Sequence, residues 1–355
     1  GDLASGWSSF CSGVAEMVNG LAPTASSSPA CVQRLAVDYI SGGPAVASIP
    51  RDWSARLSDS PLIAKHRSDD ALAPKVWVAE CESCPGGAVA IKSMMPRVWE
   101  VRNQIRALGL LRSSGNVVGY LGSQVFVDRV FLFMEAADES LADYIDRRAA
   151  SGDWPLALNE SLPMLVDLLR GARDLGRASV VHGAISEENV LLKAGRPLLA
   201  DFGCAAVLSA DDDVGLGSFS FGARVSEFRF PPETIRGVPT GPSNHVWQLG
   251  ALFGVLCLGH DPVMWAVLPQ RPDLLSSDWE PEMDDAVQDI IRRGVPLRAD
   301  RAFAELGDAD AQRLLEGMLE VSTERRWSVE GALAEAEAVA ARRGIALPAE
   351  RGARE

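Results

Sequence analysis

The stretch VVHGAISEENVLLKAGRPLLADFG, Val180 to Gly203, decides how the rest of the chain is read. Its second half holds two short apolar runs, Val190 to Leu192 and Pro197 to Ala200, around Ala-Gly-Arg. That pattern predicts a tight hairpin. Its first half is a loop opened by a histidine, and its end delivers an Asp and a Phe to a glycine. Upstream, Val76 to Glu80 and Ala88 to Met94 flank CPGG and predict another hairpin. Val98 to Leu111 places Ile105, Leu108 and Leu111 on one helical face. Val117 to Leu121 and Val125 to Met134 read as two more strands. Downstream the period changes: Leu141 to Arg148 and Leu162 to Leu175 read as amphipathic helices. Val246 to Leu258 is nearly continuous apolar sequence and predicts a buried helix. Asp308 to Val321 and Val329 to Arg343 close the pattern as helices, and residues 204–230 read as a long loop. The fold class is α+β: a small β-rich lobe, then a larger helical lobe, with a cleft between them. Val14 to Leu21 and Cys31 to Tyr39 read as short helices ahead of the sheet.

Composition narrows the classes of function. With 355 residues and 47% hydrophobic residues, the chain can bury a sizeable core. A formal net charge of −14 argues against nonspecific binding to nucleic acid or to anionic membrane. No apolar run approaches the roughly 18 residues that span a bilayer. The chain opens on Gly with no signal-peptide pattern, so localisation is not read from that end. Of six cysteines, Cys81 and Cys84 have zinc-knuckle spacing but lack a second pair, which argues against a zinc site. Cys11 and Cys31 flank a small Ser-rich segment and can close a disulfide in an oxidising compartment. Cys81 and Cys84 are the other disulfide candidates.

The order of short motifs carries more weight than any one of them. Along the chain come AIK ending at Lys92, a helix, FMEAADESLADYI from Phe133, HGAISEEN from His182, and LADFG ending at Gly203. FPPE, HVWQLG and ERRWS follow, beginning at Phe230, His245 and Glu324. In that order they resemble the landmarks of the protein kinases. The resemblance covers roughly residues 72–343. It implies an extension over residues 1–71, a small lobe over 72–137, a large lobe over 138–343 and a tail over 344–355.

Carried over residue by residue, the resemblance makes Lys92 the phosphate-binding lysine, Asp201 the metal-binding Asp and Asn189 the second metal ligand. It makes Met134 the gatekeeper, and Glu135 to Ala137 the segment that would contact adenine. Leu108, Leu121, His182 and Phe202 become the apolar column joining the lobes. Glu233 and Arg326 become a buried structural ion pair.

The departures gather at the chemistry. Ala184 stands where the family has the Asp that accepts the substrate proton, and a methyl group accepts no proton. Gly183 replaces an Arg, Ser186 a Lys, and His245 an Asp that pins the catalytic loop. Gln104 stands for the Glu that pairs with the strand lysine; Glu100, a turn earlier, could substitute if the helix shifted. No G-x-G-x-x-G precedes Lys92, so the backbone cradle for phosphates is missing or rebuilt.

That combination is similar to the secreted with-no-Gly-loop kinases of apicomplexan parasites, a rhoptry-type group, and to its bradyzoite pseudokinase branch. The resemblance implies secretion into the parasitophorous vacuole or cyst wall. It also implies a scaffold or allosteric role toward a protein partner, such as an active secreted kinase. On this reading the chain is no enzyme, needs no cofactor, and Lys92 pairs with Asp201 while Asp201 and Asn189 cap their loops. Two alternatives stay open. One is a nucleotide-sensing switch that holds ATP or Mg²⁺ on Lys92, Asn189 and Asp201. The other is altered chemistry using Glu187 or Glu188 as a displaced base.

Overall fold

The computed structural model describes residues 75–80, 84–94, 98–125, 130–208, 230–235, 241–262 and 307–354. The short helices expected before residue 40, Cys11, Cys31 and Cys81, and most of the loop after Cys204 lie outside them. The side chain of Glu100 does too.

Strand-forming residues around the CPGG turn give Lys75–Glu80 (β1) and Ala88–Met94 (β2), paired antiparallel. Val130–Glu135 (β4) pairs with the far side of β2, and Tyr120–Val125 (β3) closes the sheet in the order β1-β2-β4-β3. All of β4 is buried, as is β2 beyond Ala88. The helix Val98–Leu110 (α1) turns Val101, Ile105 and Leu108 into the core. The expected strand at Val117 to Leu121 starts later than its composition suggests. Val117 instead makes an isolated parallel bridge to Leu199, and Val118 N–H donates to the Leu199 carbonyl. Its β-branched side chains serve a link between the lobes rather than the sheet.

The large lobe begins at Glu139–Ser140 (β5) and Leu141–Ser151 (α2). Ser140 caps α2 reciprocally with Asp143. Leu158–Arg177 (α3) runs to Val180–Val181 (β6), and the predicted hairpin is Val190–Lys193 (β7) with Arg196–Leu199 (β8). Ala206–Val207 (β9) pairs back onto β6. A short helix, Pro232–Ile235 (α4), precedes Ser243–Leu258 (α5). Because α5 is apolar all round, it is buried from Asn244 to Leu256. Helix α3, together with Ala309–Met318 (α6) and Val329–Arg343 (α7), packs on it. Gly344 closes α7 in the left-handed conformation and turns the chain back onto the body.

Among the described residues, no helix is long and apolar enough to cross a membrane, and no cluster of His, Cys, Asp or Glu could hold a metal ion. Cys84 is buried and disulfide-bonded, while Cys204 and Cys257 are not in disulfides.

Candidate nucleotide cleft and catalytic loop

The sheet register puts Lys92 opposite Leu132 on one side and Val76 on the other, so its stem is buried. Its ammonium meets Asp201 Oδ1 at 2.6 Å. Gln104, from α1, donates to the same oxygen at 3.3 Å. Gly203 N–H donates to it as well, at 3.2 Å. Asp201 holds φ 56°, which an Asp tolerates because its short carboxylate bonds its own backbone two residues on. Burial pushes the Asp201 carboxyl up, but the charge and hydrogen bond of Lys92 outweigh it and hold it at about 2. The expected pairing of Lys92 with Asp201 is therefore present. Gln104 joins Asp201 rather than Lys92: its amide N–H donates to the carboxylate. Its Oε1 is buried and has no partner among the described residues.

The loop that follows β6 is held by side chains from far along the chain. His182 Nε2 donates to the Ala200 carbonyl at 2.9 Å, and its ring lies 4.7 Å from that of Phe202. Leu108 and Leu121 are buried as expected for the same apolar column. His245 does more than its sequence position suggested. Its Nε2 accepts the His182 N–H at 3.0 Å, so a neutral imidazole supplies the acceptor that a carboxylate would have supplied. Gln248, one turn along α5, accepts from Ile185 N–H at 3.2 Å and donates to the Gly183 carbonyl at 3.1 Å. The sequence reading passed over Gln248. Only its i+3 spacing from His245 on a buried helix could have flagged it.

Asn189 donates to the Ala184 carbonyl at 2.9 Å, which closes the loop on itself. Ala184 is buried, and so is Ser186; Glu188 is exposed and its charge is solvated. Gly183 is required by geometry. It sits at φ +81°, and a Cβ there would come within 2.5 Å of the Cys204 carbonyl oxygen. The tight contact between loop and segment stands where the family has an Arg side chain.

Met134 is buried in the sheet opposite Ala90 and Tyr120. The carboxylate of Glu135 is engaged by Lys193 of β7 and, at 2.8 Å, by Arg354. Glu135 N–H donates to the Gly119 carbonyl at 2.8 Å. Ala137, next along the connection, is partly exposed. Glu233 and Arg326 form the predicted ion pair, two-pronged at 2.6 and 2.9 Å, and both are buried.

The lysine strand is the third strand of the kinase small lobe and the second described here. The positions that correspond to the family's first strand and phosphate loop therefore precede Lys75 and lie outside the described residues. The sequence from Pro44 to Lys75 contains no glycine. The CPGG turn joins β1 to β2 and is not that loop.

Comparison with known proteins agrees with this geometry. Residues 81–336 match the family model described as protein kinase domain. The chain is 29% identical over 141 residues to the mouse TBC domain-containing protein kinase-like protein, covering 37% of this chain and 15% of that one. It is 24% identical over 225 residues to calcium/calmodulin-dependent protein kinase type 1 of Caenorhabditis elegans, covering 60% of this chain and 61% of that one. It is also 29% identical over 105 residues to a rice Wee1-like protein kinase, covering 30% and 19%. The chain thus spans only part of each of these relatives. With the buried Glu233–Arg326 pair, the Lys92–Asp201 contact and the His182–Phe202 stack in register with that match, the chain belongs to the protein kinase domain family.

Proposed function

We propose that this chain is a pseudokinase: a kinase-fold protein that transfers no phosphate and works by binding another protein, as a scaffold or allosteric partner. The observation that carries the reading is how the cleft's polar groups are engaged. Lys92 meets Asp201 directly, Gln104 meets the same carboxylate oxygen, and Asn189 holds the Ala184 carbonyl. A nucleotide would have to compete with Asp201 for the Lys92 ammonium, and a cation with Lys92 and Gln104 for Asp201 Oδ1. At the position of the base stands Ala184, buried and without a proton acceptor. Two of the relatives are themselves named kinase-like, the mouse and human TBC domain-containing proteins. The narrower kinship with secreted with-no-Gly-loop kinases rests on the missing glycines before Lys75 and on Ala184. Under it the chain is exported, and its partner is an active kinase of the same compartment. The disulfide at Cys84 suits an oxidising compartment of that kind.

A second reading has its own support. The Asp201 side chain is 35% exposed, within reach of solvent and of a cation. On that reading the chain senses a nucleotide without turning it over. A thermal shift with millimolar ATP, with and without Mg²⁺, separates the two. The scaffold reading expects no shift. A ligand at about 100 times its Kd adds roughly 2.7 kcal/mol, so a Mg²⁺-dependent rise would move the conclusion to the switch. Ala184→Asp is expected to yield no phosphotransfer, because Gln104, Ser186 and the missing glycines are left as they are. Robust transfer by that variant would show that only the base was lacking.

A further inference from the structure

Residues 344–354 carry a row of contacts that reach from the large lobe to the loop behind α1 and the end of β4. Ile345 and Leu347 pack against the core. The Pro348 carbonyl accepts from Arg170 at 2.8 Å and the Ala349 carbonyl from Arg196 at 3.0 Å. Those two arginines are fixed in turn by Asp167, which is buried in α3 and bonds Arg196 at 2.7 and 2.8 Å. Glu350 pairs with Arg173. Arg351 then donates to the carbonyls of Gly115 at 3.1 Å and Pro197 at 2.9 Å. Arg354 N–H donates to the Ser113 carbonyl at 2.9 Å, and its guanidinium reaches Val117 O and the Glu135 carboxylate.

Three things set this segment apart from a solvated tail. Burial lowers the affinity of both Arg351 and Arg354 for their protons, so each guanidinium has left bulk water for these partners. Gly115 is needed beneath it, since a Cβ there would lie 2.4 Å from Arg351 Cβ. Its anchor points are also selective. Ser113, Gly115 and Val117 form the loop on which α1 ends, and Glu135 closes β4 where the chain passes into the large lobe. Gln104 on α1 has no hydrogen bond to Lys92, so the pairing that seats this helix in the family is absent here.

We propose that residues 344–354 are an intramolecular strap that seats α1 and fixes the angle between the lobes, so that the cleft is governed from the back of the molecule. The strap goes beyond the proposed function and does not depend on it: a scaffold and a switch would both need it.

Hydrogen exchange on the full chain tests this, with Arg354→Ala and a chain ending at Arg343 as the variants. Losing hydrogen bonds to a charged group is expected to speed exchange about tenfold in peptides covering 98–118 and 130–137. Exchange in α5, residues 243–258, is expected to stay as it is. A synthetic peptide of residues 344–355 added to the truncated chain is expected to restore protection. If the truncated chain does not fold, the Arg354→Ala variant alone decides. Unchanged exchange at 98–118 and 130–137 would overturn the proposal. So would an equal acceleration across α5, which marks general destabilisation rather than a strap.

Discussion

Arg326→Ala is expected to lower the unfolding free energy by about 3–5 kcal/mol, the usual result of removing one partner from a buried ion pair. The guanidinium side chain is fully buried and its partners use most of its donors. Two go to the Glu233 carboxylate, at 2.6 and 2.9 Å. Others reach the backbone carbonyls of Glu320 at 2.8 Å and Ser243 at 3.1 Å. Its face lies 4.9 Å from the Trp247 ring centroid. Deleting it strands a buried carboxylate and two carbonyls, and undoes the junction of α4, α5 and the turn before α7. A thermal melt followed by circular dichroism is expected to show Tm falling on the order of 10 °C. Arg326→Lys keeps the charge but not the planar fork, so an intermediate loss is expected. The exposed pairs of Arg342 and Arg343 with Asp310 have equally short distances but are solvated. Their removal is expected to cost under about 1 kcal/mol. A loss below 1 kcal/mol for Arg326→Ala as well would mean that the buried pair holds nothing together.

The second large effect is acid sensitivity of the catalytic loop. Burial pushes the imidazole of His182 down to about 4 and that of His245 to about 3. In the unfolded chain both titrate near 6.5. Between those values the unfolded state binds protons that the folded state refuses. Stability is therefore complete above pH 6.5 and is lost as the pH falls from 6.5 toward 4. At pH 5 each histidine accounts for roughly 2 kcal/mol, from about 1.4 kcal/mol per pH unit. Urea unfolding at pH 7.5 and pH 5.0 is expected to differ by about 4 kcal/mol from these two groups. His245→Asn retains an acceptor that does not titrate, so that variant is expected to show about half the dependence. Equal slopes for the variant and the parent would remove His245 from the account.

How much of this was legible in the sequence depends on how local each feature is. Lys92, Asp201 and the His182–Phe202 stack sit inside short motifs whose backbone shape is set by their own neighbours, and the structure places them as expected. Glu233 and Arg326 lie far apart, but each is embedded in its own motif. His245 stands among the departures because it replaces an Asp, and the motif alone does not show what its ring meets. Its hydrogen bond to His182 spans 63 residues and shows only in the fold. The kinase resemblance ends near residue 343 and leaves 344–355 as a tail, so it carries no signal for the strap. Three of its partners, Gly115, Val117 and Pro197, carry no side-chain signal, because these contacts are to backbone carbonyls. Val117 and Val118 show the reverse error, where strand-forming side chains serve a link to β8 instead of a sheet.

Position 245 separates the shape of the loop from its charge. Among kinases the residue there is an acid, and the bond it makes is to the backbone of the loop. Here a different side chain has been installed that makes the same bond. The outline of the loop therefore depends on an acceptor at this point and not on a negative charge, since a neutral ring nitrogen draws it here.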